Sequence, residues 1–473
     1  MTQCSTDSLT FQPHQRREVV ANFDGLRITS DAGGLLLREL DSKLELTSRV
    51  AACFRDHRDP DYIEHSVLEL VRQRIFALAL GYEDLNDHDR LRDDALLALL
   101  AGKDDLTGQQ RARERDRGHA LAGKSTLNRL ELTPPGASSE SRYKKITASC
   151  SDFSRLFVDL FLDAYQTPPE EIILDFDATD DPLHGHQLGR FFHGYYKQYC
   201  YLPLYIFCGE HLLCAQLRPA DIDASRGTVE QLQRIVPLIR QRWPEVRIVI
   251  RGDSGFCREP IMQWCEENDV QYILGLAKNE RLKDMIAAQR VAAKLFYDDT
   301  KQAARLFADL RYQTLNSWSC QRRVVAKAEH LSKGENPRFV VTNLEIDQAD
   351  ARTLYEDLYC QRGEMENRIK EQQLCLFADR TSCATMRANQ LRLWFSSIAY
   401  VLLAALRPHG LNRTDHAKAR CDTIRVKLLK IGAQVRVTCR KVWLSLSESY
   451  PYRELFGQVW QNLQALPRRP APA

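Results

Sequence analysis

The chain has 473 residues, 44% of them hydrophobic, enough for more than one core, since single cores seldom grow beyond roughly 250 to 300 residues. Sixty-six Lys plus Arg against 63 Asp plus Glu leave a net charge of +3, which neither demands nor excludes a polyanionic partner. The 14 cysteines form no C-x-x-C pair and no zinc-type spacing, and no apolar run approaches the roughly 18 residues that span a bilayer; this argues against a disulfide-stapled secreted protein or a membrane protein and for a reduced, cytoplasmic one.

Apolar residues recur at helical spacing in Ser66–Leu80 (SVLELVRQRIFALAL) and Asp93–Leu100 (DDALLALL), and Asp93 and Asp94 sit where a helix start favours negative charge. A third helix is expected over Ser151–Tyr165, so residues 1–150 read as a mainly helical region. From Glu171 the texture changes to strands, EIILDFDAT, YCYLPLYIFCG and HLLCAQLRP, followed by a helix (VEQLQRIVPLIRQRW) and a buried strand (VRIVIRGDSG). Three strands, a helix and a further strand describe an α/β unit whose last strand returns beside the first through a helical crossover. That return brings Asp177, near the end of the first strand, beside Asp253, at the end of the fourth.

Residues 279–350 read as a β-rich insertion, and a long helix is expected from about Ala351. Beyond it, Ala388–Leu406 is an apolar, buried helix, and residues 387–473 form a helical and basic region. Its cations are Arg413, Lys418, Arg420, Arg425, Lys427, Lys430, Arg436, Arg440 and Lys441, either a nucleic-acid patch or a solvated face.

Phosphodiester chemistry with two metal ions about 3.5 to 4 Å apart needs acids converging from separate rigid elements. Asp175, Asp177 and Thr179 share one face of their strand, with no cation nearby in sequence; either aspartate can be the first ligand, or the pair caps the turn before Pro182. Asp253 ends its strand in R-G-D-S-G-F, a metal ligand or only a turn. At helical spacing, Tyr359, Arg362, Glu366, Lys370 and Gln373 form one stripe, whereas Glu364 and Glu371 face away and read as solvated. An acid flanked by Tyr, Arg and Lys suits one metal ligand among phosphate contacts, the alternative being an ordinary Glu366–Lys370 ion pair.

At these residues the chain resembles the DDE transposases of bacterial insertion sequences, in the group marked by Y-x-x-R-x-x-x-E and a Lys seven positions on; it looks closest to insertion-sequence family 1380. Tyr359-Cys-Gln-Arg362-Gly-Glu-Met-Glu366 carries the block, D-A-T at Asp177 and D-S-G-F at Asp253 carry the aspartates, and TSDAGGLLLREL, DFDATDDPLHGHQ and GEMENRIKE extend the likeness over most of the chain. Gln373 stands where the block has Lys, and Lys370 is the substitute one turn earlier. The resemblance implies an RNase H-like core (151–278, completed by the helix in 351–386) interrupted by the insertion. It also implies Asp177, Asp253 and Glu366 (or Asp175 for the first) as ligands of two Mg²⁺ ions, with Mn²⁺ as the alternative metal. Tyr359, Arg362, Lys370 and Gln373 are then the DNA contacts. The expected partners are terminal inverted repeats, read by the N-terminal region and the basic C-terminal stretch, and target DNA, with a homodimer on paired ends associated with the nucleoid. A nuclease of the same fold and an inactive DNA-binding relative are the competing readings.

Three other signals are set aside. Gly118–Ser125 matches the phosphate-loop spacing, but RARERDR before it cannot form a core strand. His184, His186 and His193 read as loop contacts rather than a metal cluster, and Trp318 as a packed side chain rather than a platform for a flipped base.

Overall fold

The computed structural model of the chain describes residues 8–467. Internal contacts separate residues 150–397 from a second unit that joins residues 8–149 to 398–467. The terminal regions expected to be separate are therefore one body. Its seam is the TSDAGG segment. Arg27–Thr29 adds a strand to the hairpin Ala433–Val437/Val442–Leu446, and buried Asp31 takes hydrogen bonds from Lys430 Nζ and Tyr82 Oη, both 2.6 Å. Gly33 is there for space: a Cβ would lie 1.8 Å from the Leu428 carbonyl oxygen.

The expected helices form. Val67–Leu80 starts on a Ser66/Glu69 capping box, and Ala95–Ala101 is capped by Asp94, whose carboxylate accepts from the Leu97 amide. Lys124 opens a helix but pairs with Asp89 at 3.1 Å, and turns rather than a strand precede it. The basic stretch divides: Arg425 donates to the carbonyls of Ala79 and Leu78 and Lys430 holds Asp31, whereas Arg436 and Lys441 lie exposed against the ring of Trp443.

In residues 150–397 a nine-stranded mixed sheet carries the candidate acids. Its main strands are β1 (Glu171–Ala178), β2 (Leu204–Cys208), β3 (His211–Gln216), β4 (Arg247–Gly252), β5 (Gln271–Leu276), β6 (Ala304–Tyr312), β7 (Arg322–Leu331) and β8 (Arg338–Thr342), in the order β3-β2-β1-β4-β5-β8-β7-β6. Strands β1, β4 and β5 run parallel and the other pairings are antiparallel. Residues 279–350 thus differ from expectation: they open with two helices, Glu280–Met285 and Ala287–Thr300, and their strands extend the central sheet through β8 against β5 instead of forming a separate β body.

Period-two alternation sorts β1 between two cores. Ile172, Leu174 and Phe176 pack with helices α1 (Cys150–Asp163), α2 (Thr228–Arg242) and α3 (Glu259–Glu267). Ile173 belongs to the opposite core, with Val249, Ile273, Leu354 and Tyr355, so Asp175 and Asp177 face the segment 351–376. That segment is not one regular helix: a π-helical stretch over Leu354–Tyr359 and a 3₁₀ turn over Cys360–Arg362 precede α4 (Gly363–Leu376). Among the described residues no helix is long and apolar enough to cross a membrane.

Candidate active site

Strand pairing settles which residues meet at the end of the sheet. In the parallel β1–β4 ladder Asp175 lies opposite Arg251 and Phe176 opposite Gly252, so Asp177 and Asp253 follow on adjacent chains at the next level. Arg251 is the partner of Asp175: its Nε and Nη2 reach the two Asp175 carboxylate oxygens at 2.5 and 2.8 Å, and both side chains are buried. Asp175 is thus ion-paired within the sheet, by a cation 76 positions away where none lies near it in sequence. An Arg inside an apolar strand was the available signal, since a buried guanidinium has to be paired.

Asp177 has no such dedicated partner. Its carboxyl is pushed up to about 7, first by burial, with the charges of Asp253 and Glu366 adding to the rise and Arg362 opposing it. Asp253 accepts a hydrogen bond from the Gly255 amide at 2.7 Å, which fixes the turn after β4. Glu366, in the first turn of α4, is bound to Arg362 (Nη2 to Oε1, 2.8 Å), and Nη1 of the same guanidinium is 3.7 Å from Asp177 Oδ2. Three acids from two strand ends and a helix therefore share one electrostatic neighbourhood, with Arg362 between two of them.

The donor chemistry suits a hard divalent cation, which takes carboxylate oxygens, and the Asp177 carboxyl, raised first by burial and then by the charges of Asp253 and Glu366, is one that such an ion would favour in its ionised form. Among the described residues, however, no three His, Cys, Asp or Glu side chains stand close enough together to hold a metal ion in this arrangement; the Arg362 guanidinium lies there instead.

Tyr359 completes the cluster from the π-helical stretch. Its phenol is pushed up by burial and by the charge of Asp253, against Arg362. A Cβ on Gly275 of β5 would fall 2.6 Å from the Tyr359 hydroxyl, 2.9 Å from the Ser254 amide nitrogen and 3.2 Å from the Asp253 carbonyl carbon. Gly275→Ala must therefore displace Tyr359 and the Asp253 turn together. Phosphodiester cleavage is expected to fall on the order of a hundredfold, because misplacements near 1 Å have that effect, while circular dichroism still reports a folded chain.

Several side chains depart from their expected places. Gln373 turns inward and donates to the Asp180 carbonyl (3.1 Å) and to Asp181 Oδ1 (3.0 Å), so its amide braces the loop after Asp177. Asp181 is fully buried, and burial pushes its carboxyl up to about 8 against the Gln373 hydrogen bond. Lys370 stays exposed on α4, but Glu371 is buried and 3.6 Å from Arg368 rather than solvated. His186 pairs with Arg190, and His193 Nδ1 accepts from the Tyr196 amide. Trp318 is 7% exposed and packed edge-on against Tyr312, as a core residue.

Residues 11–468 match the family model described as Transposase DDE domain group 1. No protein of curated function matches the chain. Among solved structures, the cryo-EM structure of the piggyBac transposase synaptic complex with hairpin DNA aligns over 94% of this chain and 87% of that one, at 10% identity and a TM-score of 0.38. With the match running over nearly its whole length, the chain belongs to the DDE transposase family, domain group 1.

Proposed function

We propose that the protein is the transposase of a bacterial insertion sequence, of the 1380 family type, which binds terminal inverted repeats and carries out cleavage and strand transfer with Asp177, Asp253 and Glu366. The observation that carries the reading is the coupling of Asp177 to both other acids, with a carboxyl raised to about 7 at the C-terminal end of the β1–β4 ladder. The strand order β3-β2-β1-β4-β5, three antiparallel strands followed by two parallel ones, supports an RNase H-like core.

A pair of bound Mg²⁺ ions, or Mn²⁺, would activate the attacking water and stabilise the leaving oxygen. The protein's own groups prepare that chemistry. Asp177 and Asp253 offer oxygens from adjacent strand ends that the ladder holds rigid, and Glu366 offers one from α4 once Arg362 lets it go. Arg362, released from the two acids, is then free for a DNA phosphate beside them, the role a guanidinium fork suits. Tyr359 lines the same edge, and exposed Lys370 supplies the phosphate contact that Gln373 does not make. No side chain acts as a covalent nucleophile: water attacks at the element's end and the freed 3′-hydroxyl attacks target DNA.

The unit that joins the N-terminal helices to the basic C-terminal hairpin is the proposed reader of the DNA ends, and two ends joined together call for a homodimer. A cytoplasmic enzyme on the nucleoid follows from that work. The test is incubation of the full-length protein with DNA carrying the element's own two ends and Mg²⁺. Cleaved ends together with joined products are expected; cleavage without joining would indicate a nuclease, and binding without any metal-dependent product an inactive relative.

A further inference from the structure

Phe191, Phe192, Tyr195 and Tyr199 leave 41, 58, 83 and 47% of their surfaces exposed, a concentration of apolar rings that water disfavours unless they have a partner. They belong to a small antiparallel sheet in which Gln198–Tyr201 lies between Asp181–Pro182 and Phe191–His193. On one face Phe192 stands directly across from Tyr199, ring centroids 5.7 Å apart and edge-on, and the Arg190 guanidinium lies 4.6 Å over the Tyr199 ring. Tyr195 projects at the turn, touching Tyr196 edge-on at 5.0 Å. From Pro182 to Gly209 the chain has no acidic residue, yet it carries Arg190, Lys197 and three histidines.

The position of this sheet gives it a purpose. The chain leaves β1 immediately after Asp177 and Ala178, builds the aromatic hairpin, and returns as β2, whose Leu204 and Tyr205 pair with Ala178 and Asp177. Tyr196 ties the two together, its hydroxyl donating to the Ala178 carbonyl at 3.3 Å. The aromatic face is therefore an outgrowth of the same ribbon that ends in the candidate catalytic aspartate.

We propose that this hairpin is a stacking platform for unpaired bases in the DNA strand beside the cleaved phosphate. Within a duplex the faces of the bases are covered by their neighbours, so exposed rings can stack on bases only where pairing is open. Aromatic faces interleaved with cations are the usual means of holding single strands without sequence preference, and the sheet's own carboxylate, Asp181, is buried away from the exposed rings. The inference deepens the reading of the site as DNA-processing and rests on it for the choice of ligand.

The experiment is fluorescence anisotropy of a labelled single-stranded oligodeoxythymidine and of a labelled duplex of equal length, with the full-length protein in chelator so that no cleavage occurs. Phe192→Ala and Tyr195→Ala are each expected to weaken single-strand binding about fivefold or more, the usual effect of losing one base–aromatic stack, with duplex affinity unchanged. Tyr195→Ala guards against misfolding, since that ring is mostly in solvent. Unchanged single-strand binding, or an equal loss on the duplex, overturns the proposal. So does a shift to smaller species in sedimentation with DNA binding intact, which would assign the face to a second copy of the chain. Because the readout needs no catalysis, loss of single-strand binding in the variants of a protein that never cleaves element ends would sustain the platform and defeat the transposase reading.

Discussion

Asp177→Asn is expected to abolish metal-dependent cleavage, by roughly a thousandfold or more for loss of a group that stabilises transition-state charge, and at the same time to make the metal-free protein more stable above pH 7. The second effect follows from the environment of the carboxyl. Its ordinary value is 3.8 and in the fold it rises to about 7, chiefly through burial. Between those values the folded chain keeps a proton that the unfolded chain has lost. The stability contributed by this carboxyl is therefore greatest below about pH 4, falls as pH rises toward 7, and stays low above it. At 1.36 kcal/mol per pH unit the upper limit is about 4 kcal/mol. The asparagine is nearly isosteric, can still accept from the Ala178 amide at its Oδ1, and carries no buried charge. Asp181, raised in the same direction, titrates in both proteins, so the difference between them isolates position 177. Thermal melts in chelator at pH 5 and pH 8 check this: the wild-type melting temperature should fall more between the two than that of the variant, and parallel shifts would refute the electrostatic account.

Arg251→Met should produce the largest loss of stability, about 3 to 5 kcal/mol, because it strands the Asp175 carboxylate in the sheet without its cation. Arg251 also donates to the carbonyl of Leu358, so the substitution loosens the π-helical stretch that delivers Tyr359. Replacing both members, Asp175→Leu with Arg251→Met, should recover most of the loss, since a buried ion pair is often no better than apolar residues of similar volume. Urea denaturation of the two single variants and the double variant measures this; a double variant as unstable as the sum of the singles would mean that the pair is not the unit described.

The same pair shows what the sequence could and could not convey. That Asp177 and Asp253 would meet was legible, because side chains alternate along a strand and a βαβ crossover returns the chain beside its starting strand. The ion pair that sets Asp175 apart from Asp177 was not, because its cation sits on another strand, at a register known only after folding. The helix bearing Glu366 was legible, but the stripe from Tyr359 to Gln373 assumed one constant pitch. The π-helical and 3₁₀ turns change the phase before Gly363, and packing turns Gln373 and Glu371 inward. In the basic C-terminal stretch composition could not separate Arg425 and Lys430, which bind groups far away in sequence, from Arg436 and Lys441, which do not. The strands of 279–350 read as β, yet their joining to the edge of β5 is a long-range pairing that no local pattern announces. The exposure of the aromatic hairpin was not legible, because alternation alone does not say which of its faces is covered.

Glu366 is the member of the trio that the fold pins least, held by Arg362 and partly open to solvent, so it tests the account most directly. The measurement is Mg²⁺-dependent cleavage and joining of paired element ends by Glu366→Gln, beside wild type and Asp253→Asn, with end binding followed in the same samples. The account predicts that both variants bind the ends and form neither product. A Glu366→Gln protein that cleaves at the wild-type rate would contradict it and place the third carboxylate elsewhere.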